Sequence, residues 1–371
     1  MFTCARIKAT RGKGADFYRQ HLSCNDYYSE HEVVKGVWRG SLAEDFGLSN
    51  RPVEKQVFSS FQQNINPVNG QKLTVRNVQN AVRFYDFQCS AQKSVSIMSL
   101  FDARLERAHQ EAVQLAMKEM ERFASVRLRS GIHASTDNIE FTGNFLYAEY
   151  HHDSSRLLDP QLHTHNVIVN VTRDKDGHYK ALQSREMVRA IRYASKVYLN
   201  KLAQQCGILG YELDKKYRDK GELVGFEIRG VSEEILKRCS RRREQIDKAI
   251  EAFVKTHGRQ PNIDEVGQLT LLTRNRKMLV RSNAQVKDFK LAMFSEEEKA
   301  HFKEMYSKMA PVKPSQTSRP SADEKKLALF RQQKALLDTF LSSGAISQDQ
   351  YDKSLNGLIE KMGIKDDAGR K

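Results

Sequence analysis

The sequence lacks the features that mark membrane and secreted proteins. Its 371 residues contain no apolar run near the roughly 20 residues that span a bilayer. The first residues lack an apolar stretch followed by a small-residue cleavage site, which argues against a signal peptide. The five cysteines are scattered, odd in number and without C-x-x-C spacing, which favours free thiols in a reducing compartment. We therefore expect a cytoplasmic protein with no membrane insertion.

Acidic residues are in the minority, and a phosphate-binding motif is missing. The chain has 61 Lys and Arg against 46 Asp and Glu, which gives a net charge of +15 and a pI near 9.5. Such a balance favours a polyanionic partner, most often nucleic acid, although a merely soluble basic protein is the alternative. No G-x-x-x-x-G-K-[ST] sequence occurs, so we expect no P-loop motor in this chain.

Three of the 11 histidines fall within one short stretch and predict a metal site. His163 and His165 are two residues apart, so on a strand both imidazoles point to the same face. His152 follows a second predicted strand, 141–150, and a polar connector of nine or so residues separates it from His163. Three neutral imidazoles at one end of a sheet can hold a divalent cation and leave positions open for substrate. The alternative is three ordinary histidines.

A second polar site is predicted on the strand 82–89. Asp86 shares a face with Phe84 and Gln88, and a carboxylate there is costly unless it meets a cation or hydrogen-bond donors. It can orient a histidine ligand or accept a proton from a nucleophile; the alternative is a surface or turn-capping aspartate. Lys93 offers a positive charge for phosphate.

Tyrosines are concentrated near the start of the chain. Tyr18, Tyr27 and Tyr28 lie within 11 residues, among polar and charged neighbours. A phenol has a pKa of about 10, so attack on a phosphodiester requires a base or a metal-polarised phosphate. Stacking on bases or surface packing is the alternative interpretation.

The remaining pattern predicts a mixed fold with basic surfaces. Strands are expected at 2–8, 211–213 and 223–228, a charged turn at 214–220, and helices at 101–126, 184–206 and 232–256. Two basic clusters are predicted to contact phosphates, or else form solvated faces. Their residues are Arg241, Arg242, Arg243, Arg274, Arg276 and Lys277.

Composition changes near residue 310. We predict a first domain over 1–310, a flexible Pro- and Ser-containing linker over 311–321, and a small helical hairpin over 322–371. A hairpin of this size is unstable without a partner. It is similar to the short C-terminal oligomerisation modules of many bacterial proteins.

The order of these motifs resembles the MobF (TrwC/TraI) family of conjugative relaxases, which are HUH endonucleases. The likeness covers roughly residues 1–290. It is carried by the early tyrosines, Trp38-Arg39-Gly40, Tyr85-Asp86-Phe87, Ser90-Ala91-Gln92-Lys93-Ser94, the three-histidine segment and Gly210-Tyr211-Glu212.

The resemblance implies an α+β fold, with an antiparallel palm-like sheet flanked by helices. His152, His163 and His165 would hold a divalent metal, Mg²⁺ or Mn²⁺, that binds a phosphate in single-stranded DNA at a plasmid's origin of transfer. A tyrosine would form a 5′-phosphotyrosyl link and later allow rejoining. Asp86 would orient a metal-binding histidine.

The resemblance also implies partners. These are an accessory DNA-binding protein, a coupling protein and a separate helicase, unless the sequence is a piece of a longer chain. The protein would act in the bacterial cytoplasm and travel with the DNA into the recipient.

One departure and two alternatives remain. Family members often have adjacent tyrosines in the first cluster, where this chain has Phe17 before Tyr18. Tyr18 is the first choice as nucleophile, and Tyr27 and Tyr28 are candidates for a second transfer or for the first. One alternative is a rolling-circle replication initiator, in which the tyrosine usually follows the histidines. The other is a non-catalytic DNA-binding transfer accessory protein.

Overall fold

The computed structural model describes residues 2–8, 36–75, 81–128, 138–218, 221–273, 283–308 and 348–362. It divides the chain into two compact units, Met1–Ala310 and Pro311–Lys371. The described part of the second unit is a single helix, Gln348–Met362. The predicted linker 311–321 and the first half of the predicted hairpin lie outside the described residues, so both stay predictions.

The described part of the first unit contains both strands and helices. The strands are β1 (Phe2–Lys8), β2 (Val37–Arg39), β3 (Val82–Ser90), β4 (Ser125–Arg127), β5 (Ile139–Phe141), β6 (Tyr147–Ser154), β7 (Pro160–Val169), β8 (Thr172–Arg173), β9 (Tyr179–Lys180), β10 (Leu213–Arg218) and β11 (Glu222–Ile228). A 3-10 helix spans Ser41–Phe46. The α-helices are α1 (Lys55–Gln62), α2 (Lys93–Met98), α3 (Arg104–Glu121), α4 (Ser184–Arg189), α5 (Ile191–Ile208), α6 (Glu233–Arg238), α7 (Arg241–His257), α8 (Ile263–Leu272), α9 (Asn283–Leu291), α10 (Glu296–Lys308) and, in the second unit, α11 (Gln348–Met362).

An antiparallel sheet of five strands lies at the centre of the first unit. Its strand order is β1-β3-β7-β6-β2. Strand β7 is hydrogen-bonded on both sides, and nearly all of its residues are buried. A strand covered on both faces shows a continuous buried run instead of a polar alternation. The predicted α+β class with an antiparallel sheet is confirmed.

Each face of the sheet carries its own apolar core. One core contains Trp38, which is fully buried and lies edge-on to Phe61 at 5.3 Å, together with Val167 and Val169 of β7. The other core packs α3 and α5 against residues such as Phe87 and Ile168. Residues two apart along β7 therefore belong to the same core, and neighbouring residues belong to opposite cores.

Gly40 shows why the segment after β2 needs a glycine. Its φ is +92°, a left-handed value that favours glycine. A Cβ atom at this position would lie 2.2 Å from the Phe145 carbonyl oxygen. The close backbone approach joins the 3-10 helix to the start of the β6 region.

Several predicted boundaries are wrong. The helix expected over 101–126 ends at Glu121, and residues 125–127 form β4. The helix expected over 232–256 is two helices that meet at Cys239 and Ser240. An apolar stripe continues through such short breaks, so periodicity alone does not reveal them.

The charged turn predicted over 214–220 is also wrong. Strand β10 continues to Arg218 and pairs with β11 as a two-stranded ribbon. Most of its side chains are exposed, including Tyr217. A solvated ribbon needs no apolar alternation, so its charged residues resemble those of a loop in the sequence.

Among the described residues, no helix has the length and apolar character needed to cross a lipid bilayer.

Candidate metal centre

The three predicted histidine ligands meet on one face of the central sheet. Strands β6 and β7 pair so that His152 lies opposite His163, and Tyr150 opposite His165. The ring centroids of His152 and His163 are 5.1 Å apart, and each lies 5.3 Å from the His165 ring. All three side chains are buried. The alternation of strand side chains thus brings together residues that are 13 positions apart.

A tight connector sets this pairing. Strand β6 ends at Ser154 and β7 begins at Pro160, so the connector is shorter than the nine or so residues predicted. The Ser155 hydroxyl accepts hydrogen bonds from the backbone amides of Leu157 and Asp159. Leu158 has a φ of +61°, a left-handed conformation that is costly for a residue with a Cβ. The connector therefore holds a strained turn directly beside the ligand strands.

Asp86 lies behind one of the ligands. Strand β3 neighbours β7, with Gln88 opposite His165. The His165 Nδ1–H donates to the Asp86 Oδ2 at 2.8 Å. Burial lowers the pKa of His165, but the charge and hydrogen bond of Asp86 outweigh it and raise the pKa above its ordinary value. In the neutral form of the ring, this bond fixes the tautomer in which Nε2 carries the lone pair.

His163 has the same tautomer for a different reason. Its Nδ1 lies 2.9 Å from the carbonyl oxygen of Gln161, which can only accept a hydrogen bond. Burial, together with the nearby charge of His165, lowers the pKa of His163 to about 3. The ring is therefore neutral at physiological pH, with its lone pair on Nε2.

The donor set fits a divalent cation. Three imidazoles converge, two of them have Nδ1 engaged by an oxygen, and a carboxylate orients one ring from behind. This is the arrangement in which histidines bind metal through Nε2 while a second partner holds the other nitrogen.

A second cluster of possible metal ligands occurs in the described part of the chain, but its contacts are those of a turn. Ligand atoms of Asp174, Asp176 and His178 lie within 4.8 Å of one another. However, the Asp174 Oδ1 accepts from the backbone amides of Asp176 and His178, and Lys180 pairs with the same carboxylate. These contacts close the turn between β8 and β9.

Comparison with known proteins identifies the family. Residues 11–295 match the TrwC relaxase family. The chain belongs to this family. It is 38% identical over 210 residues to the multifunctional conjugation protein TraI of Escherichia coli, which covers 52% of this chain and 12% of TraI. It is 34% identical over 214 residues to TraI of Escherichia coli K12, covering 55% and 12%. The aligned part thus spans about an eighth of these relatives.

Solved structures of TrwC share the fold. The copper-bound complex of conjugative relaxase TrwC with oriT DNA has a TM-score of 0.65 and 30% identity, over 81% of this chain and 99% of that one. The TrwC complex with a 27-mer that comprises the recognition hairpin and cleavage site has a TM-score of 0.64 and 29% identity, with the same coverage. The expected relaxase fold is confirmed.

Several predicted site residues of the relaxase lie outside the described residues. They are Tyr18, Tyr27, Tyr28, Arg274, Arg276 and Lys277. Their roles as nucleophiles and phosphate contacts stay predictions.

Two residues that are predicted to contact DNA, Lys93 and Arg241, bind protein groups where the connector meets β7. The Lys93 Nζ donates to the Pro160 carbonyl at 2.9 Å, and burial lowers the pKa of this lysine. The Arg241 guanidinium pairs with the buried Asp159 at 2.6 Å and donates to the Leu157 carbonyl. The structure therefore gives both cations a protein partner next to the candidate metal centre, and phosphate binding by either stays a prediction.

The other two arginines of this cluster differ from Arg241. Arg242 donates to the carbonyl oxygens of Thr270 and Thr273 at the end of α8. Arg243 is exposed and pairs with Asp247 one turn along the same helix. Of the three, Arg243 is the one whose position suits a solvent-side phosphate contact.

One cation close to the three histidines was not predicted from the sequence. Lys290 of α9 is almost fully buried, and its Nζ lies 2.7 Å from the Asp153 carboxylate. Asp153 follows His152, where the register of β6 shifts. A buried lysine has no signature in a sequence, since lysines are ordinarily exposed. The one feature of the sequence that indicates a nearby cation is the carboxylate of Asp153, directly after His152.

Proposed function

We propose that this chain is a conjugative relaxase that nicks single-stranded DNA at a plasmid's origin of transfer. In this proposal His152, His163 and His165 hold a divalent cation, Mg²⁺ or Mn²⁺, and a tyrosine of the first 28 residues attacks the bound phosphate. The observation that carries it is the convergence of three buried imidazoles with Asp86 bound to one of them. Family membership and the TrwC complexes with oriT DNA support it.

The three imidazoles supply the binding set for the cation. When bound, the cation would neutralise phosphate oxygens as negative charge develops on them. By accepting from Nδ1–H, Asp86 keeps His165 in the tautomer whose lone pair is on Nε2. Because Asp86 is buried and committed to His165, we assign it the orienting role in preference to proton removal from the tyrosine.

The chemistry is a balanced exchange of phosphoesters. The tyrosine oxygen forms a bond to phosphorus as the bond from phosphorus to the 3′ oxygen breaks. The phenol proton is lost and the 3′ oxygen gains one, which leaves a free 3′-hydroxyl and a 5′-phosphotyrosyl link. The link is itself a phosphodiester, so the reverse attack can rejoin the strand without ATP.

Other parts of the proposal concern partners. The relaxase would work in the bacterial cytoplasm with an accessory DNA-binding protein and a coupling protein. The chain carries no G-x-x-x-x-G-K-[ST] sequence, so a helicase would come from another chain or from a further part of a longer one. We also propose that residues 322–371 serve oligomerisation.

A covalent-adduct assay tests the proposal. The full chain is incubated with end-labelled single-stranded oligonucleotides that cover the origin of transfer of its plasmid, with Mg²⁺, Mn²⁺ or EDTA. We expect a denaturation-resistant protein–DNA adduct that EDTA abolishes. Tight binding without cleavage under every metal would instead indicate a non-catalytic accessory protein.

Tyrosine variants locate the nucleophile. Tyr18→Phe should abolish the adduct, while Tyr27→Phe and Tyr28→Phe should retain it if they serve a second transfer. Tyr193→Phe is the matched control, because Tyr193 is a partly exposed tyrosine of α5 that donates to Glu119. If all three N-terminal variants keep the adduct, the nucleophile lies elsewhere.

A further inference from the structure

Thr164 occupies the position between two metal-binding histidines. Because it lies between His163 and His165 on β7, its side chain points to the opposite face of the sheet. There the side chain is completely buried, and two imidazoles approach its hydroxyl. The His109 Nε2 lies at 2.9 Å and the His151 Nδ1 at 2.8 Å.

These contacts belong to a longer chain of polar groups, in which Tyr198, His109 and Thr164 are buried and His151 is partly exposed. The His109 Nδ1 lies 2.7 Å from the hydroxyl of Tyr198, and the His151 Nε2 lies 3.6 Å from a Glu149 carboxylate oxygen. In the tautomer that carries its hydrogen on Nε2, towards that carboxylate, His151 accepts from Thr164 at Nδ1. Thr164 then accepts from His109, which accepts from Tyr198. One direction of donation thus satisfies the buried members Tyr198, His109 and Thr164.

The surroundings of His109 make a polar residue costly. The other buried residues on this face of α3 are apolar, among them Leu105, Ala112 and Val113. Burial lowers the pKa of His109 well below its ordinary value, so the ring is neutral. An apolar residue such as leucine at position 109 would avoid the cost of burying this polar ring. The polar pair therefore provides something that packing alone does not.

That contribution is the register and orientation of the ligand strand. A slip of β7 by one residue would turn both histidines into the core and the threonine into the metal site. The hydroxyl of Thr164, held from α3 by His109 and from β6 by His151, opposes such a slip. It also limits rotation of the backbone between the two ligands.

We propose that Thr164 and His109 are positioning residues for the metal centre, because their hydrogen bond behind the sheet fixes the strand from which His163 and His165 project. This inference rests on the proposed metal site and extends it to the opposite face. It predicts that affinity for a divalent cation depends on a hydroxyl that never touches the cation.

Calorimetric titration of the full chain with Mn²⁺, together with the unfolding midpoint without metal, tests this role. Thr164→Val keeps the shape and removes the hydroxyl, and we expect a Mn²⁺ Kd raised about tenfold, the size seen for partners behind metal ligands. Thr164→Ser loses a methyl group but keeps the hydroxyl, so it should lower the midpoint and retain the Kd. Val113→Ala is the control, because it creates a cavity on α3, the helix that carries His109. Like Thr164→Ser, it should lower the midpoint and retain the Kd.

A triple variant separates positioning from stability. His109→Leu and Tyr198→Phe combined with Thr164→Val remove all three buried members of the chain, so the triple variant should recover part of the midpoint lost in Thr164→Val. Its Kd should stay raised. An unchanged Kd in Thr164→Val, or an equal rise in Val113→Ala, would overturn the positioning role alone. A wild-type chain that binds no Mn²⁺ would overturn the metal centre and this inference with it.

Discussion

His165 and the connector that precedes its strand are held in place by different parts of the molecule. The orientation of His165 depends on Asp86, a residue of the neighbouring strand at 2.8 Å, so its support comes from within the sheet. The connector 155–159 depends on Arg241, and the adjoining first residue of β7, Pro160, is bound by Lys93; both cations belong to helices outside the sheet. Ligand orientation and strand connection therefore rest on separate contacts.

This difference leads to opposite expectations. A carboxylate that holds a metal-binding imidazole contributes chiefly to metal affinity. A cation that neutralises a buried carboxylate in a loop contributes chiefly to stability, because its loss leaves that carboxylate without a partner. Loss of Asp86 should thus weaken metal binding more than folding, and loss of Arg241 the reverse.

We expect the largest loss of activity when one of the proposed metal ligands is removed. His163→Ala takes away one of three imidazoles, and we expect adduct formation to slow on the order of a thousandfold, since a bound cation supplies several kcal/mol of charge stabilisation. The rate is measured with the labelled transfer-origin oligonucleotide. His178→Ala, a change at an exposed turn histidine, is the control. Equal rates in the His163 variant and the wild type would remove His163 from the metal site.

Substitution of Asp86 tests the support from within the sheet. Asp86→Ala should raise the Mn²⁺ Kd about 10- to 100-fold, because His165 loses the partner that fixes its tautomer. Affinity for the oligonucleotide, measured by fluorescence anisotropy, should change little. Asp102→Ala is the matched control, since Asp102 is a buried aspartate bound to Arg104 and Tyr211 in another part of the fold. Parallel losses of metal and DNA affinity would indicate a structural role for Asp86.

The convergence of the three histidines with Asp86 could be predicted because it depends on short-range geometry. Two histidines two apart on a strand must share a face, and Asp86 belongs to the adjacent strand with a carboxylate that needs a donor. The connector contacts could not be predicted. Asp159 and Arg241 are 82 residues apart, and only the packing of α7 against the sheet end brings them together.

Basic clusters were equally ambiguous in the sequence. Arg241, Arg242 and Arg243 form one charged run, yet one pairs with a buried loop carboxylate, one caps a helix end and one faces solvent. Consecutive residues on a helix point about 100° apart, so a run of charge has no single environment. Local composition predicts positive charge and does not predict its partner.

Arg241→Ala tests the support from outside the sheet. It should lower the free energy of unfolding by about 1–3 kcal/mol, because Asp159 is left buried without its cation. The loss should lie at the lower end of this range, because the Arg241 side chain is 38% exposed and solvent screens its charge. Urea unfolding provides the measurement, and the Mn²⁺ Kd should change less than in Asp86→Ala. A larger change in Kd than in stability would contradict the division between the two supports.

Arg243→Gln should have the smallest effect of these variants, and we expect that effect on DNA binding alone. Arg243 lies on the same helix as Arg241 but pairs with an exposed carboxylate, so its loss should leave stability and metal affinity unchanged. If it contacts a phosphate, the plot of log affinity for DNA against log salt should become less steep by about 0.7, the value for one contact with a single strand. Arg259→Gln, at an exposed arginine paired with Glu265, is the control and should leave the slope unchanged. A slope equal to that of the wild type would mean that Arg243 faces away from the DNA, and that the charged run supports the fold only through Arg241 and Arg242.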